Sequence, residues 1–267
     1  MIALLRRSIA QARYVLIGSA VLLTGFQLVI VGQAAEIQRS QSFGRIAELL
    51  PGFLQRGLGS RAMLLATFKG TVAFGYFHPV VCLLVAVVAM YFTTEPAHEV
   101  EAGLVDLELA RSLPRWRLLA RSLTLSHLAA IGGIVLMALG TSLGGALFDT
   151  AGMDMPEFSL RGRLLVNLLG VASCFGAFAL LVASLSKRWA TAFTTGALTA
   201  VVTYLVDFLS IGWRPMRVLN WLSPFHYYPA LSVIAGDAPV ARNVAILFAA
   251  AAAFAAAAFW QFQRRDL

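Results

Sequence analysis

The chain has 267 residues, of which 59% are hydrophobic and only 13% are charged, and its mean hydropathy is +0.78. Because a soluble domain carries roughly 25% charged residues, this composition excludes the ordinary soluble class and indicates an integral membrane protein. The formal net charge of +8 is mostly arginine near the ends of apolar runs. Such a distribution suits anionic lipid headgroups better than nucleic acid.

Residues 1–13 alternate apolar and basic side chains at helical spacing, as in Leu5, Arg6 and Ile9. This pattern predicts an amphipathic helix that lies on the membrane surface. The apolar run that follows, 14–35, could be read as the core of a signal peptide. It is longer than the roughly 7–15 residues of such a core, so we expect an uncleaved membrane anchor.

Six uncharged runs have about the length that a helix needs to cross a bilayer. They lie at about 14–35, 70–94, 122–148, 164–186, 189–206 and 243–263. The sequence therefore predicts an all-α integral membrane protein in which residues 1–267 form a single transmembrane domain. We also expect short re-entrant helices outside the membrane, the first of them within residues 36–69. Basic residues divide almost evenly between the two sides, so the positive-inside rule favours an inside N-terminus only slightly.

The second and third spans each contain a feature that affects helix geometry. His78 and Pro79 lie early in the second span, where proline is expected to kink the helix. Gly140 and Gly144 form a GxxxG pair that allows helices to approach closely, either within one subunit or at a dimer interface.

The fifth span carries a stripe of threonines: Thr191, Thr194, Thr195, Thr199 and Thr203. Their spacing of three and four residues puts them on one helix face. Two interpretations stay open: hydrogen bonds between helices, or a substrate path that also involves Phe26.

The segment 95–121, between the second and third spans, is the one charge-dense island in the chain. Residues 99–112 can form a helix, in which Glu108 and Arg111 are three residues apart. Pro114 is expected to break that helix, and Trp116 is expected to anchor the next one at the membrane interface. The sequence therefore predicts a helix, a sharp break and a second helix on one face of the membrane.

Several chemistries have no motif here. The sequence contains no HExxH zinc motif, no GxSxG nucleophile elbow and no Walker A loop, and its four histidines do not have metal-ligand spacing. The two cysteines, Cys82 and Cys174, lie inside apolar runs and are expected to be small packing residues. We therefore predict no catalytic residues, no metal and no cofactor in this chain; if the protein uses ATP, another chain hydrolyses it.

Three segments together resemble a known family. The first is the acidic stretch that continues through Gly103 and Leu104 to Pro114 and Arg115, although the family commonly has Gly-Thr where this chain has Gly-Leu. The second is the segment 222–228, which contains Ser223, Pro224 and Phe225, and the third is the basic-Asp-Leu ending. In their order and spacing along the six spans, these segments are similar to the membrane subunit (permease) of ABC type-2 exporters.

The resemblance implies that the island is a cytoplasmic coupling helix seated in a separate ABC ATPase subunit. The residues expected at that contact are Glu99, Glu101, Gly103, Asp106, Glu108 and Arg111. It further implies two permease copies (a homodimer or close homologues), two ATPase copies that bind ATP and magnesium, and an external re-entrant segment at 223–225. Both termini would face the cytoplasm, in a bacterial-type cytoplasmic membrane.

The expected function is export of a substrate across that membrane, and the aromatic lining favours a lipid or a hydrophobic compound. One alternative is an integral-membrane enzyme, an acyltransferase or a protease, that uses His98, Glu99 and Glu101. Another is an accessory subunit without transport.

Overall fold

The computed structural model describes residues 2–43, 52, 61–103 and 114–264. Every regular element in these residues is helical. The helices are α1 Ile2–Gln11, α2 Arg13–Arg39, α3 Ala62–Leu65, α4 Phe68–Phe74, α5 Pro79–Thr93, α6 Glu95–Glu101, α7 Trp116–Leu147, α8 Phe158–Leu185, α9 Trp189–Ser210, α10 Arg214–Leu219, α11 Ala230–Ala235 and α12 Val240–Arg264. Two 3₁₀ turns, Asn220–Leu222 and Pro224–Tyr227, lie between α10 and α11.

Six helical segments are long and apolar enough to cross a membrane: α2, α4 with α5, α7, α8, α9 and α12. The predicted all-α membrane fold is thereby confirmed. The helices continue beyond the uncharged runs at several ends; α7, for example, begins at Trp116 rather than near residue 122. Helix ends can carry arginine and tryptophan because these side chains are favourable at the membrane interface.

The second span is interrupted rather than merely kinked. Helix α4 ends at Phe74, and α5 begins at Pro79, where the missing N–H of proline is tolerated in the first turn. The imidazole Nδ1 of His78 accepts a hydrogen bond from the backbone N–H of Val80 at 3.3 Å and so caps the new helix. His78 is therefore a helix cap, and the break divides this span into a short and a long segment.

Helix α8 is the most deeply buried span, and α2 and α9 are the least buried. Leu164, Leu168, Val171 and Phe175 of α8 are all at most 2% exposed and belong to the main apolar core. Helices α5, α7, α9 and α12 pack around α8. Burying these side chains against one another fixes the positions of the surrounding spans, which carry the candidate functional residues.

The two glycines of the GxxxG pair lie against α2 of the same chain. A Cβ atom at Gly140 would lie 2.8 Å from the carbonyl oxygen of Thr24, and one at Gly144 would lie 2.8 Å from Cβ of Val31. These distances are shorter than van der Waals contact, so only glycine permits the observed separation of α7 and α2. Close packing within one subunit, one of the two open interpretations, is what the structure shows.

Helix α6 begins earlier and ends sooner than the sequence suggested. It spans Glu95–Glu101, and Gly103 has a φ of +66°, a left-handed conformation that terminates the helix. The helix expected at 99–112 therefore does not run continuously through Gly103. Helices α1 and α6 and the first residues of α7 and α9 lie at one end of the bundle, called here the α6 end.

Candidate functional site

The α6 end is built around a buried ion pair. Nη2 of Arg121, at the start of α7, lies 2.7 Å from Oε1 of Glu99 and 3.6 Å from Oε2 of Glu95, both on α6. The Arg121 side chain is 1% exposed and that of Glu99 is 6% exposed. Because a buried charge is costly unless it is paired, this contact holds α6 firmly against the third span.

A second contact joins α6 to the N-terminal helix. The hydroxyl of Ser8 donates a hydrogen bond of 2.7 Å to Oε1 of Glu95. Ser8 on α1 and Ala12, directly after this helix, are both buried, and Ala12 packs with Val88 and Phe92 of α5. One face of α1 is thus attached to the bundle, whereas Arg6 and Arg7 on the same helix are exposed. This arrangement agrees with the expected amphipathic helix.

A third contact joins α6 to the fifth span. Oε2 of Glu101 accepts a hydrogen bond of 2.8 Å from the backbone N–H of Trp189, the first residue of α9. A carboxylate at a helix N-terminus satisfies a backbone donor and interacts favourably with the helix dipole. Three glutamates of the seven-residue helix α6 therefore connect it to α1, α7 and α9, and a displacement of α6 would act on all three helices.

The predicted coupling residues divide into three groups. Glu99 and Glu101 make the internal contacts just described, so the carboxylate of Glu99 faces Arg121 and not the outside of the protein. Gly103 is exposed and marks the end of α6. Asp106, Glu108 and Arg111 lie outside the described residues.

The cluster proposed for an enzyme does not converge on a shared cavity. Glu99 is paired with Arg121, and Glu101 binds the backbone of α9. His98 is exposed and lines a different space, together with Glu95. Both carboxylates of the cluster are therefore occupied by structural contacts.

Two of the predicted substrate-path residues, Thr199 and Thr203, line an open cavity of about 390 Å³ at the surface of the bundle. It lies between α8, α9, α12 and the 3₁₀ turns, and its wall is mostly aromatic and aliphatic. The residues that line it include Phe175, Phe178, Thr199, Thr203, Trp221, Tyr227 and Phe254. Ligand sites of this size and composition bind compounds that are largely apolar.

The remaining path residues lie elsewhere. Thr195 does not line this cavity and is exposed on α9. Phe26 on α2 packs against the ring of His78, with 4.9 Å between the ring centroids. The hydroxyls of Thr199 and Thr203 donate to the carbonyl oxygens of Thr195 and Thr199, one turn earlier, at 2.8 Å and 2.7 Å. The threonine stripe therefore makes hydrogen bonds within α9, and only part of it faces the cavity.

The Ser-Pro-Phe segment is docked into the bundle, and its Pro224 lines that cavity. The hydroxyl of Ser223 donates to the carbonyl oxygen of Thr203 at 2.9 Å and accepts from the backbone N–H of Phe225 at 3.2 Å. Pro224 occupies the first turn of the 3₁₀ helix. The Phe225 ring is 4% exposed and lies 5.3 Å from the ring of Phe175 and 5.2 Å from that of Tyr204.

The structure also shows a buried polar connection that the sequence did not reveal. Tyr76, in the break of the second span, shares a hydrogen bond with Thr141 of α7. Its carbonyl oxygen accepts a hydrogen bond of 3.2 Å from the hydroxyl of Tyr228. The break in the second span leaves backbone carbonyl groups without partners inside a helix, so they need hydrogen-bond donors from elsewhere. In the sequence, the only indication of such a donor would be a polar residue close to the broken span. Ser8 and Arg121 were likewise missed, because their partners are distant in sequence.

The chain matches the model of a known protein family. No curated protein and no solved structure matches the chain. The family model described as the C-terminal domain of the multidrug efflux system permease Rv1217c matches residues 40–263. This range includes five of the six spans, α6 and the Ser-Pro-Phe segment. The chain therefore belongs to the family of the multidrug efflux permease Rv1217c C-terminal domain, and it is a multi-pass membrane permease.

Proposed function

We propose that this chain is the permease subunit of an ABC exporter that is driven by a separate ATPase subunit. The observation that carries the proposal is the attachment of α6 to three other helices. Arg121 binds Glu99 and Glu95, Ser8 binds Glu95, and the N–H of Trp189 binds Glu101. A force applied beyond Gly103 would be transmitted through α6 to the N-terminal helix α1 and to the third and fifth spans.

In this proposal the ATPase contacts the segment around Asp106, Glu108 and Arg111, together with the exposed parts of Glu101 and Gly103. Glu99 holds the segment in place from inside. ATP and magnesium bind to the two ATPase copies, and two permease copies pair around the transport path. The α6 end and both termini face the cytoplasm. ATP-driven movement of the ATPases would change the relative positions of the spans.

The proposed cargo is a lipid or a hydrophobic compound. The cavity of about 390 Å³ between α8, α9 and α12 supports this, because aromatic and aliphatic residues such as Phe178, Phe254 and Leu247 form most of its wall. The name of the family also refers to multidrug efflux. Within the described part of the chain, no aspartate, glutamate, lysine or arginine lines this cavity.

Copurification with an ABC ATPase from the same organism tests the proposal. Charge reversal at Asp106 and Glu108 should abolish association with the ATPase and the stimulation of its hydrolysis by the permease. Glu36→Lys is the matched control, because Glu36 is exposed near the opposite end of α2. ATP hydrolysis by the purified permease alone, or unchanged association of the double reversal variant, would refute the proposal.

A further inference from the structure

A second cavity of about 390 Å³ lies at the α6 end, beneath the N-terminal helix. It is separate from the aromatic cavity described above and shares no residue with it. Helix α1, the junction of α5 and α6, and the first residue of α9 form its wall. The residues that give this wall its chemistry are Ser8, Gln11, Tyr91, Glu95, His98 and Trp189.

The charge on this wall is negative in a protein whose net charge is positive. Glu95 lines the cavity, and no lysine or arginine does so in the part of the chain that the structure describes. Arg121 lies behind Glu95 and is 1% exposed, and its shorter contact, 2.7 Å, goes to Glu99 rather than to Glu95. Oε2 of Glu95 is buried and lies 3.6 Å from Arg121, beyond ordinary hydrogen-bond distance. Arg121 therefore compensates this carboxylate only in part, and a cation in the cavity would still be attracted to it.

Aromatic rings complete the site. Tyr91 and Trp189 are half-buried and line the same cavity as Glu95. The faces of such rings attract a positively charged ammonium group through the ring quadrupole. The Trp189 ring is held by stacking on Phe193, with 5.1 Å between the centroids and 15° between the planes. A carboxylate beside held aromatic rings therefore offers a cation two kinds of favourable contact.

The position of the cavity indicates what carries the cation. Tyrosine and tryptophan concentrate where the membrane meets water, and α1 is amphipathic, with exposed arginines at that level. A molecule that reaches this cavity from the bilayer would keep its apolar chain beside α2 and α5 and place its polar head near Glu95. We propose that this cavity binds the ammonium group of an amphiphile from the leaflet next to the α6 end.

Two molecules share this chemistry: a lipid with an ethanolamine headgroup and a free alkylamine. Binding is measured with the purified full-length permease in a maltoside detergent by native mass spectrometry, without any ATPase. The probes are phosphatidylethanolamine, phosphatidylglycerol, dodecylammonium and its uncharged analogue N-dodecylacetamide. We expect dodecylammonium to bind more tightly than N-dodecylacetamide, and phosphatidylethanolamine to be retained in preference to phosphatidylglycerol.

Glu95→Gln should weaken binding of the ammonium probes about tenfold or more, because a hydrogen bond to a charged group is lost. Since Glu95 also binds Ser8 and Arg121, Trp189→Leu provides a second test that leaves these contacts in place. It should weaken the same probes severalfold. Glu36→Gln, which removes an exposed carboxylate away from the cavity, should bind as the unmodified chain does.

A competition experiment distinguishes the two possible ligands, the ethanolamine headgroup of a lipid and a free alkylamine. If phosphatidylethanolamine displaces dodecylammonium, the site accepts the lipid headgroup; if Glu95→Gln affects dodecylammonium alone, the site accepts free amines. Both results support the proposal. Equal binding of dodecylammonium and N-dodecylacetamide, or unchanged binding in both cavity variants, would overturn it. Because no ATPase is present, neither result bears on the proposed transport function.

Discussion

The guanidinium of Arg121 and the carboxylate of Glu99 lie 2.7 Å apart, and both side chains are almost completely buried at the α6 end. Arg121 belongs to the third span and Glu99 to the short helix that follows the second span. A buried guanidinium that lost its carboxylate would remain charged without compensation, which is why such pairs are sensitive to the removal of one partner. The relative position of α6 and α7 thus depends on these two residues.

Removing one member of this pair should destabilise the protein. We expect Arg121→Gln or Glu99→Gln to lower stability by about 3–5 kcal/mol, the usual effect of breaking a buried ion pair. Thermal unfolding of the purified permease in detergent measures this effect. Arg117→Gln is the control, because Arg117 is exposed beside Trp116 and should change stability little. Unchanged unfolding of both pair variants would show that the contact does not hold α6 in place.

The left-handed conformation of Gly103 predicts a specific effect on coupling. Gly103→Ala should disfavour this conformation by about 1 kcal/mol, because a Cβ atom crowds the backbone there. Among the described residues, no neighbouring atom lies within 4 Å of the added Cβ, so the fold should persist while the stimulation of the ATPase falls. Gly162→Ala in α8, whose added Cβ also meets no described atom within 4 Å, should leave the stimulation unchanged. Full stimulation by Gly103→Ala would contradict a role for this turn.

The close contact between α2 and α7 predicts that alanine at Gly140 destabilises the protein, whereas alanine at Gly132 does not. Gly140→Ala should lower stability by about 1–3 kcal/mol, because its Cβ would lie 2.8 Å from a backbone oxygen of α2 that cannot rotate away. Gly132→Ala, eight residues earlier on the same helix, adds its Cβ in open space and should be neutral. Analytical ultracentrifugation should show the same oligomeric state for both variants. Dissociation caused by Gly140→Ala alone would place this glycine at an interface between subunits.

Filling the aromatic cavity should reduce the response to substrate. Thr199→Phe places a ring in the space between α8, α9 and α12, so we expect hydrophobic compounds to stimulate ATP hydrolysis several times less than before. Basal hydrolysis should remain. Thr195→Phe, one turn away on the same helix, adds the same ring outside the cavity and serves as the control. Equal stimulation in the two variants would exclude this cavity as the substrate site.

Orientation in the membrane can be tested with single cysteines at the two ends of the bundle. Lys187→Cys lies at the α6 end and Ser159→Cys at the opposite end, and both positions are exposed. In intact cells an impermeant maleimide should label Ser159→Cys, whereas Lys187→Cys should react only after permeabilisation. The native Cys82 and Cys174 are buried and should contribute little background. Labelling of Lys187→Cys in intact cells would reverse the proposed orientation.

The composition and hydrophobic runs of the sequence determined the membrane class and the number of spans. Each span consists of consecutive apolar residues, and a helix is the structure that satisfies its own backbone in lipid, so local information was sufficient. The positions of the helix ends were less well predicted, because helices continue into the interfacial region where charged residues are tolerated. The proline at position 79 indicated a disturbance of the second span but did not indicate that α4 and α5 are separate helices.

The role of each polar residue was decided by tertiary structure. Glu99 and Glu101 look alike in the sequence, yet one is buried against Arg121 and the other binds the first N–H of α9. Their partners lie 22 and 88 residues away, and only the packing of the spans around α8 brings them together. The same packing places Thr199 beside a cavity and leaves Thr195 outside it. Local chemistry thus determined that this chain spans a membrane as helices, whereas contacts between distant segments decided which residues hold α6 and which line a cavity.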